Sequence, residues 1–190
     1  MRILQSAQLV LALGAAAPAL AGNFVPVCER TKPVRLFLES SEGVGKPCAD
    51  ISEADLVAVI RVAVPNDNIQ ELTVSDYSSL PNLETLNIKG NPFTTIPEGL
   101  LEQLPKLKVL VIFRTKLAQV PDNFLASNPD LEDLHIFSNP FTTLPEPVLQ
   151  RLGYMTHLRT LDFNQQLDET HKERLRQLFP IGGTVELNFY

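Results

Sequence analysis

An α/β solenoid, with short parallel strands on one face and helices and turns on the other, is the fold class that this sequence predicts. Three observations predict it. First, one apolar pattern recurs as Leu83-x-x-Leu86-x-Ile88, Leu107-x-x-Leu110-x-Ile112 and Leu131-x-x-Leu134-x-Ile136, at a constant interval from copy to copy. A fixed period in this range marks stacked repeats. Second, the apolar residues alternate with others, so that on a strand Leu86 and Ile88 point one way and Thr85, Asn87 and Lys89 the other. Third, each copy continues through a polar column (Asn91, Thr115, Asn139) and an apolar one (Phe93, Leu117, Phe141) to an apolar residue followed by Pro97, Pro121 or Pro145. A single strand of this kind cannot bury its apolar face alone, whereas stacked copies make one continuous core.

This pattern resembles the leucine-rich repeat family. The resemblance implies that the strands line a concave face used for binding, and that the Asn column forms a ladder of side-chain bonds to the backbone of neighbouring turns. Thr115 keeps a hydroxyl in that column, so the ladder is expected to be weakened there. Counting back by the same interval gives a fourth copy with Val59, Val62, Val64, Asp67, Ile69 and Leu72. Counting forward, Leu158, Leu161 and Phe163 follow after a longer interval, because Gly153-Tyr154-Met155 lengthens the returning arm. Val185 and Leu187 lie one regular interval beyond Leu161 and Phe163, which predicts a last strand over 184–189. The convex columns are Tyr77, Leu101, Leu125, Leu149 and Leu80, Leu104, Asn128, Leu152. Asn128 departs from the apolar residue that the family places there.

Four segments follow from this register. Residues 1–21 read as a secretory signal peptide, with Arg2, an apolar run and Ala19-Leu20-Ala21 as a small-x-small cleavage site. The leader is too short for a membrane anchor, and its compactness points to a bacterial chain. Residues 22–56 read as a helical N-terminal cap. Thr31 with Pro33 is expected to open one helix, whose apolar face carries Val34, Phe37 and Leu38 and which Gly43-Val44-Gly45 ends. Ser52-Glu53-Ala54-Asp55 has the form of a capping box. Cys28 and Cys48 are the only cysteines, and an isolated pair in an exported chain reads as a disulfide. Cys-bounded caps of this kind are implied by the resemblance too. Residues 57–164 hold the repeats. Residues 165–190 read as a closing helix and strand, with Thr170 and Glu173 as a second capping box.

Composition narrows the function. Without the leader, 15 basic residues face 22 acidic ones, which disfavours nucleic acid and anionic membrane surfaces as partners. No stretch beyond the leader has the length of a membrane span. Phosphate-loop, nucleophile-elbow, His-Glu-x-x-His and Cys-x-x-Cys motifs are all absent from the sequence, so neither an enzyme nor a cofactor or metal site is expected.

The columns facing away from the core are more informative. They read Arg61, Thr85, Val109, Asp133, Thr160; then Ala63, Asn87, Val111, His135, Asp162; then Pro65, Lys89, Phe113, Phe137, Asn164. Val109, Val111, Phe113 and Phe137 thus form an apolar patch rimmed by Lys89, Arg114, Asp133 and His135. Such a patch on a soluble protein marks an interaction site; the plainer reading is that these residues only stabilise strands. Asp133, His135 and Asp162 lie within reach of one another at a ~4.8 Å strand spacing, whereas His157 and His171 have no visible partner. Six strands at ~4.8 Å and five residues at ~3.3 Å give a face of roughly 400 Å², small beside the ~800 Å² per partner of a standard interface. The expected function is a non-catalytic, secreted or otherwise extracytoplasmic module that binds a protein or peptide. The rival reading is a structural envelope protein that self-associates weakly through the same patch.

Overall fold

The computed structural model describes residues 24–190; the expected signal peptide lies outside them. Six short strands, β1 (Arg61–Ala63), β2 (Thr85–Asn87), β3 (Val109–Val111), β4 (Asp133–His135), β5 (Thr160–Phe163) and β6 (Glu186–Phe189), form one parallel sheet in sequence order. The register carries the apolar column straight across, pairing Val62, Leu86, Leu110, Leu134, Leu161 and Leu187 in turn. Val62, Leu86, Leu110, Leu134 and Leu161 are buried together with Val64, Ile88, Ile112, Ile136 and Phe163. Each strand's alternation therefore delivers its apolar half to a shared core, as stacking requires.

The arms returning from β1, β2 and β3 are turns and single 3-10 turns such as Val74–Tyr77 and Leu101–Gln103. After β4 the arm is longer and forms the helix α3 (Glu146–Tyr154), the first helix after α1 (Lys32–Glu39) and α2 (Glu53–Leu56) of the cap. Asn128 is fully buried among apolar neighbours, and its amide donates to the Leu101 and Leu104 carbonyls at 3.2 and 2.7 Å. The departure from an apolar residue is thus a tie between two arms made by the amide N–H groups, while Asn128 Oδ1 is buried without a partner among the described residues.

The cap holds α1 and α2, and the Cys28–Cys48 disulfide joins the 3-10 turns Val27–Glu29 and Cys48–Asp50 that precede them. Ser52 and Asp55 make the capping box reciprocally. The start of α1 differs from expectation, because the Thr31 side chain caps nothing. Its backbone N–H instead donates to Asp76 Oδ1 at 2.6 Å, while the Arg30 guanidinium donates to the Asp76 and Ser78 carbonyls at 2.7 and 2.9 Å. Burial pushes the Arg30 pKa down. This contact locks the cap onto the first arm. At the other end α1 stops at Glu39, earlier than the glycine turn, which folds back so that the Val44 N–H reaches the Leu38 carbonyl. A Cβ on Gly43 would lie 2.7 Å from the Leu38 Cα, so only glycine permits that approach.

At the C-terminal end α4 (Glu169–Leu178) is capped by Asp168, not by Thr170 and Glu173. Leu167 is buried and pins the chain just before the cap. The Asp168 carboxylate accepts the His171 N–H at 2.9 Å and the His171 ring at 2.6 Å, and these bonds hold its pKa down at about 2. The last strand also differs by two positions from the sequence reading. Leu187, not Val185, pairs with Leu161, and Phe189 with Phe163, because the arm carrying α4 runs longer than the regular interval between strands.

Candidate functional site

The Asn column sets the exits from the strands. Asn91 Oδ1 accepts from Asp67 and Ile69 at 3.0 Å each, and its amide donates to the Val64 and Ile88 carbonyls at 2.8 Å each. Asn139 repeats the arrangement, accepting from the Thr115 N–H at 3.0 Å and donating to Ile112 and Ile136 at 2.8 and 2.9 Å. The Thr115 hydroxyl turns toward Asn139 and bonds it, so among the described residues the Thr115 side chain makes no hydrogen bond to the Asn91 turn. Asn164, expected on the open face, is instead fully buried; its Oδ1 accepts from the Asn139 N–H at 2.9 Å and its amide donates to the Phe141 carbonyl at 2.8 Å. A buried ladder one bond longer wins over the column position.

Just before this column the chain turns left-handed in four successive repeats. Asn66, Gly90, Arg114 and Ser138, which share one column of the repeat, have φ of 59, 70, 56 and 55°. Glycine adopts this region at no steric cost and asparagine tolerates it. At Gly90 a Cβ would also lie 2.1 Å from Asn66 Oδ1, so the Asn66 side chain would have to swing aside. Arg114 has no such excuse, and its strained backbone aims a long cation over the open face.

On that face Val109, Val111, Phe113, Phe137, Asp133 and His135 are all half-buried, and Lys89 with them. The structure brings most of the sequence-predicted site together. Phe113 and Phe137 stack with ring centroids 4.5 Å apart and planes 13° from parallel. Lys89 Nζ lies 5.2 Å and Arg114 Cζ 5.9 Å from the Phe113 centroid. Tyr190, which the sequence reading missed, leans on Phe137 at 4.9 Å. The signal for it was the length of the last arm. The three rings form a ladder in which Phe113 and Phe137 stand on adjacent repeats and Tyr190 reaches Phe137 from beyond β6, across the column position that the buried Asn164 leaves open.

The acidic and imidazole groups are joined only in part. His135 Nδ1 is hydrogen-bonded to Asp162 Oδ2, and Asn188 donates to Asp162 Oδ1 at 3.0 Å. Asp162 is almost wholly buried beneath them. Asp133 bonds neither, and among the described residues no three His, Cys, Asp or Glu side chains gather as metal ligands. The other histidines do have partners, contrary to expectation. His157 pairs with Asp130 at 3.2 Å on the exposed surface, and His171 bridges Asp168 and the Leu144 carbonyl, the latter at 3.0 Å.

A groove of about 330 Å³ opens where Lys89, Phe113, Arg114 and Phe137 meet Asn66 and Gly90. A depression between the Ile96–Pro97 and Pro121–Phe124 turns holds about 10 Å³, roughly one water. No helix among the described residues is long and apolar enough to cross a membrane.

Fold and site together define a solenoid whose sheet presents an aromatic strip rimmed by charge. The chain belongs to the leucine-rich repeat family: the family's model matches residues 54–184. A solved leucine-rich repeat protein of Leptospira interrogans is 26% identical, with a TM-score of 0.60 over 74% of this chain and 34% of that one. An internalin from Listeria monocytogenes is 21% identical, with a TM-score of 0.56 over 84% of this chain and 52% of that one. The LRIM1/APL1C complex contains a chain 17% identical, with a TM-score of 0.51 over 56% and 23%. The last two likenesses bear on the fold alone. The chain spans about a third of the Leptospira protein and about half of the internalin. No curated protein sequence matches it.

Proposed function

We propose that this chain is a non-catalytic, extracytoplasmic protein-binding module that uses the open face of its sheet. The observation that carries the reading is the ladder of Phe113, Phe137 and Tyr190, which lies on the face opposite the core. Burying the two phenylalanines would require slipping their strands by one residue, and this would expose Leu110 and Ile112 or Leu134 and Ile136 at roughly 1.5–3 kcal/mol for each side chain. Their place on the open face is therefore imposed by the register, and an aromatic strip of this kind dominates binding where it meets a partner. The Cys28–Cys48 bond favours an oxidising compartment, in keeping with the leader-like residues 1–21. The roughly 400 Å² face suits a peptide or a small module better than a large complex.

The test compares variants in capture from culture medium or envelope extract. Phe113→Ala and Phe137→Ala should each weaken retention of whatever the unaltered chain retains at least tenfold, while Asn87→Ala leaves it unchanged. Retention insensitive to both phenylalanines would remove the open face as the binding surface. Light scattering of the chain decides against the self-association alternative if the mass stays monomeric as concentration rises.

A further inference from the structure

The groove at the strand exits carries more than apolar surface. We propose that it is a subsite for a carboxylate borne beside an aromatic side chain on an acidic segment of the partner protein; this rests on the open-face reading above.

Charge is the first argument. The chain is acidic, with 22 Asp and Glu against 16 Lys and Arg, and several of its surface cations already have a carboxylate: Lys46 with Asp55, Lys108 with Glu84, Arg159 with Glu132, Arg174 with Glu146. Lys89 and Arg114 have none among the described residues. Lys32, Arg61, Lys106, Lys116 and Arg151 also lack one, but none of these lines the groove, and Lys106 and Arg151 are engaged by the Asn82 side chain and the Phe124 carbonyl. Both groove cations rest instead over the Phe113 ring. A ring face holds a cation without meeting its hydrogen-bond donors, so a carboxylate arriving there gains charge-assisted bonds that the free protein does not make.

Position is the second argument. Arg114 stands at a left-handed position, φ 56°, where the repeat before it has Gly90. A long charged side chain is held there against its backbone preference, and strain of this kind collects at binding sites. The open face is also polarised. Its carboxylates, Asp133, the tethered Asp162 and Glu186, lie on β4, β5 and β6, while the cations Arg61, Lys89 and Arg114 lie on β1 and at the exits of β2 and β3. An acidic segment is thus directed to one end, with its aromatic neighbour against the Phe113–Phe137 ladder. A groove of about 330 Å³ is at the lower end of ligand-site volumes, enough for a residue or two and not for a folded module.

The experiment pans a random hexapeptide phage library against the folded chain and measures the enriched peptides by titration. We expect Asp or Glu next to Phe, Tyr or Trp to be enriched. Replacing that acid by its amide, or making Lys89→Gln or Arg114→Gln, should raise Kd at least tenfold, and raised salt should abolish the difference. Arg114→Gly removes the cation while keeping the left-handed backbone, so a fold effect is excluded if it behaves as Arg114→Gln does. Enrichment of purely apolar peptides whose binding needs Phe113 and Phe137 would overturn the carboxylate subsite and leave the open-face reading standing. Acidic peptides indifferent to Lys89→Gln and Arg114→Gln would overturn it equally. A panning that returns no peptide sensitive to Phe113→Ala or Phe137→Ala would overturn both.

Discussion

Thr115→Asn should stabilise the protein, because the ladder has a missing rung at that position. In the turns on either side, a side-chain oxygen takes the backbone N–H of the preceding column residue: Asp67 gives its N–H to Asn91, and Thr115 gives its own to Asn139. Asn91 is fully buried, yet among the described residues its N–H has no acceptor, since Thr115 directs its hydroxyl the other way. Asparagine at 115, bonding as Asn91 and Asn139 do, would take the Asn91 and Phe93 N–H groups. Its amide would reach the Ile88 and Ile112 carbonyls, each of which has a second lone pair. The Leu117 N–H, now bonded to the Thr115 hydroxyl at 3.3 Å, would pass to Asn139 as Ile69 passes to Asn91. Two regained bonds at about 1 kcal/mol each, less the lost hydroxyl contact and side-chain ordering, leave a net gain of about 1 kcal/mol. For a chain of this size that raises Tm by about 2–4 °C. Thr115→Val is the counterpart: it keeps the shape, strands the Leu117 N–H and should cost about 1 kcal/mol. Calorimetric melts of the three proteins under one buffer decide the matter. Thr115→Asn melting at or below Thr115→Val would refute the ladder argument.

The remaining predictions concern the core, the cap and the closing helix. Leu110→Ala, at a fully packed site, should cost about 2–5 kcal/mol, whereas Phe113→Ala and Phe137→Ala should leave Tm within a few degrees; equal losses in all three would mean that the rings belong to the core. Opening the Cys28–Cys48 bond, which closes a loop across a sequence separation of 20, should cost about 3 kcal/mol through the unfolded chain, so reductant must lower Tm, and two free thiols in the purified protein would contradict the bond. Asp168 has a folded pKa of about 2 against an ordinary 3.8, so its contribution is present above about pH 4 and is lost as pH falls toward 2. Asp168→Asn should flatten that part of the acid melting curve, and superimposable acid profiles for the two proteins would show that the cap does not titrate as described.

Much of this architecture was legible because it is periodic. Leu86, Leu110 and Leu134 announce both strand and face, and the register pairs between neighbouring strands follow from one interval. What escaped was decided by partners far away in sequence. Thr31 lies in a good capping position, but Asp76, far along the chain, claims its backbone N–H. Thr170 and Glu173 have the spacing of a capping box, but Leu167 packs into the core and leaves Asp168 at the helix start. The left-handed column Asn66, Gly90, Arg114, Ser138 contains one glycine, so its backbone requirement does not show in residue type. In each capping case a local signal was present and a tertiary contact overruled it.

The last strand shows where periodic reasoning loses its grip. A shift of one residue turns every side chain of a strand to the other face, and burial forbids it. A shift of two leaves the apolar residues on the core side, so alternation alone is blind to it. Val185 and Leu187 have the right parity opposite Leu161 and Phe163, and so do Leu187 and Phe189; the pattern scores both alike. What separates them is the length of the arm carrying α4, which ends in Pro180 and the turn through Gly182 and Gly183. That arm sets Phe189 beside Phe163 and lets Lys172 and Arg176 of α4 lie 5.9 and 5.4 Å over the Phe189 ring. The Tyr190 N–H then bonds the Phe163 carbonyl at 2.9 Å, and its ring reaches Phe137. With Val185 opposite Leu161, Tyr190 would lie two positions beyond that carbonyl and away from the stack. The aromatic ladder is three rings long, not two, because of an even-numbered displacement that hydrophobic alternation has no means of reporting.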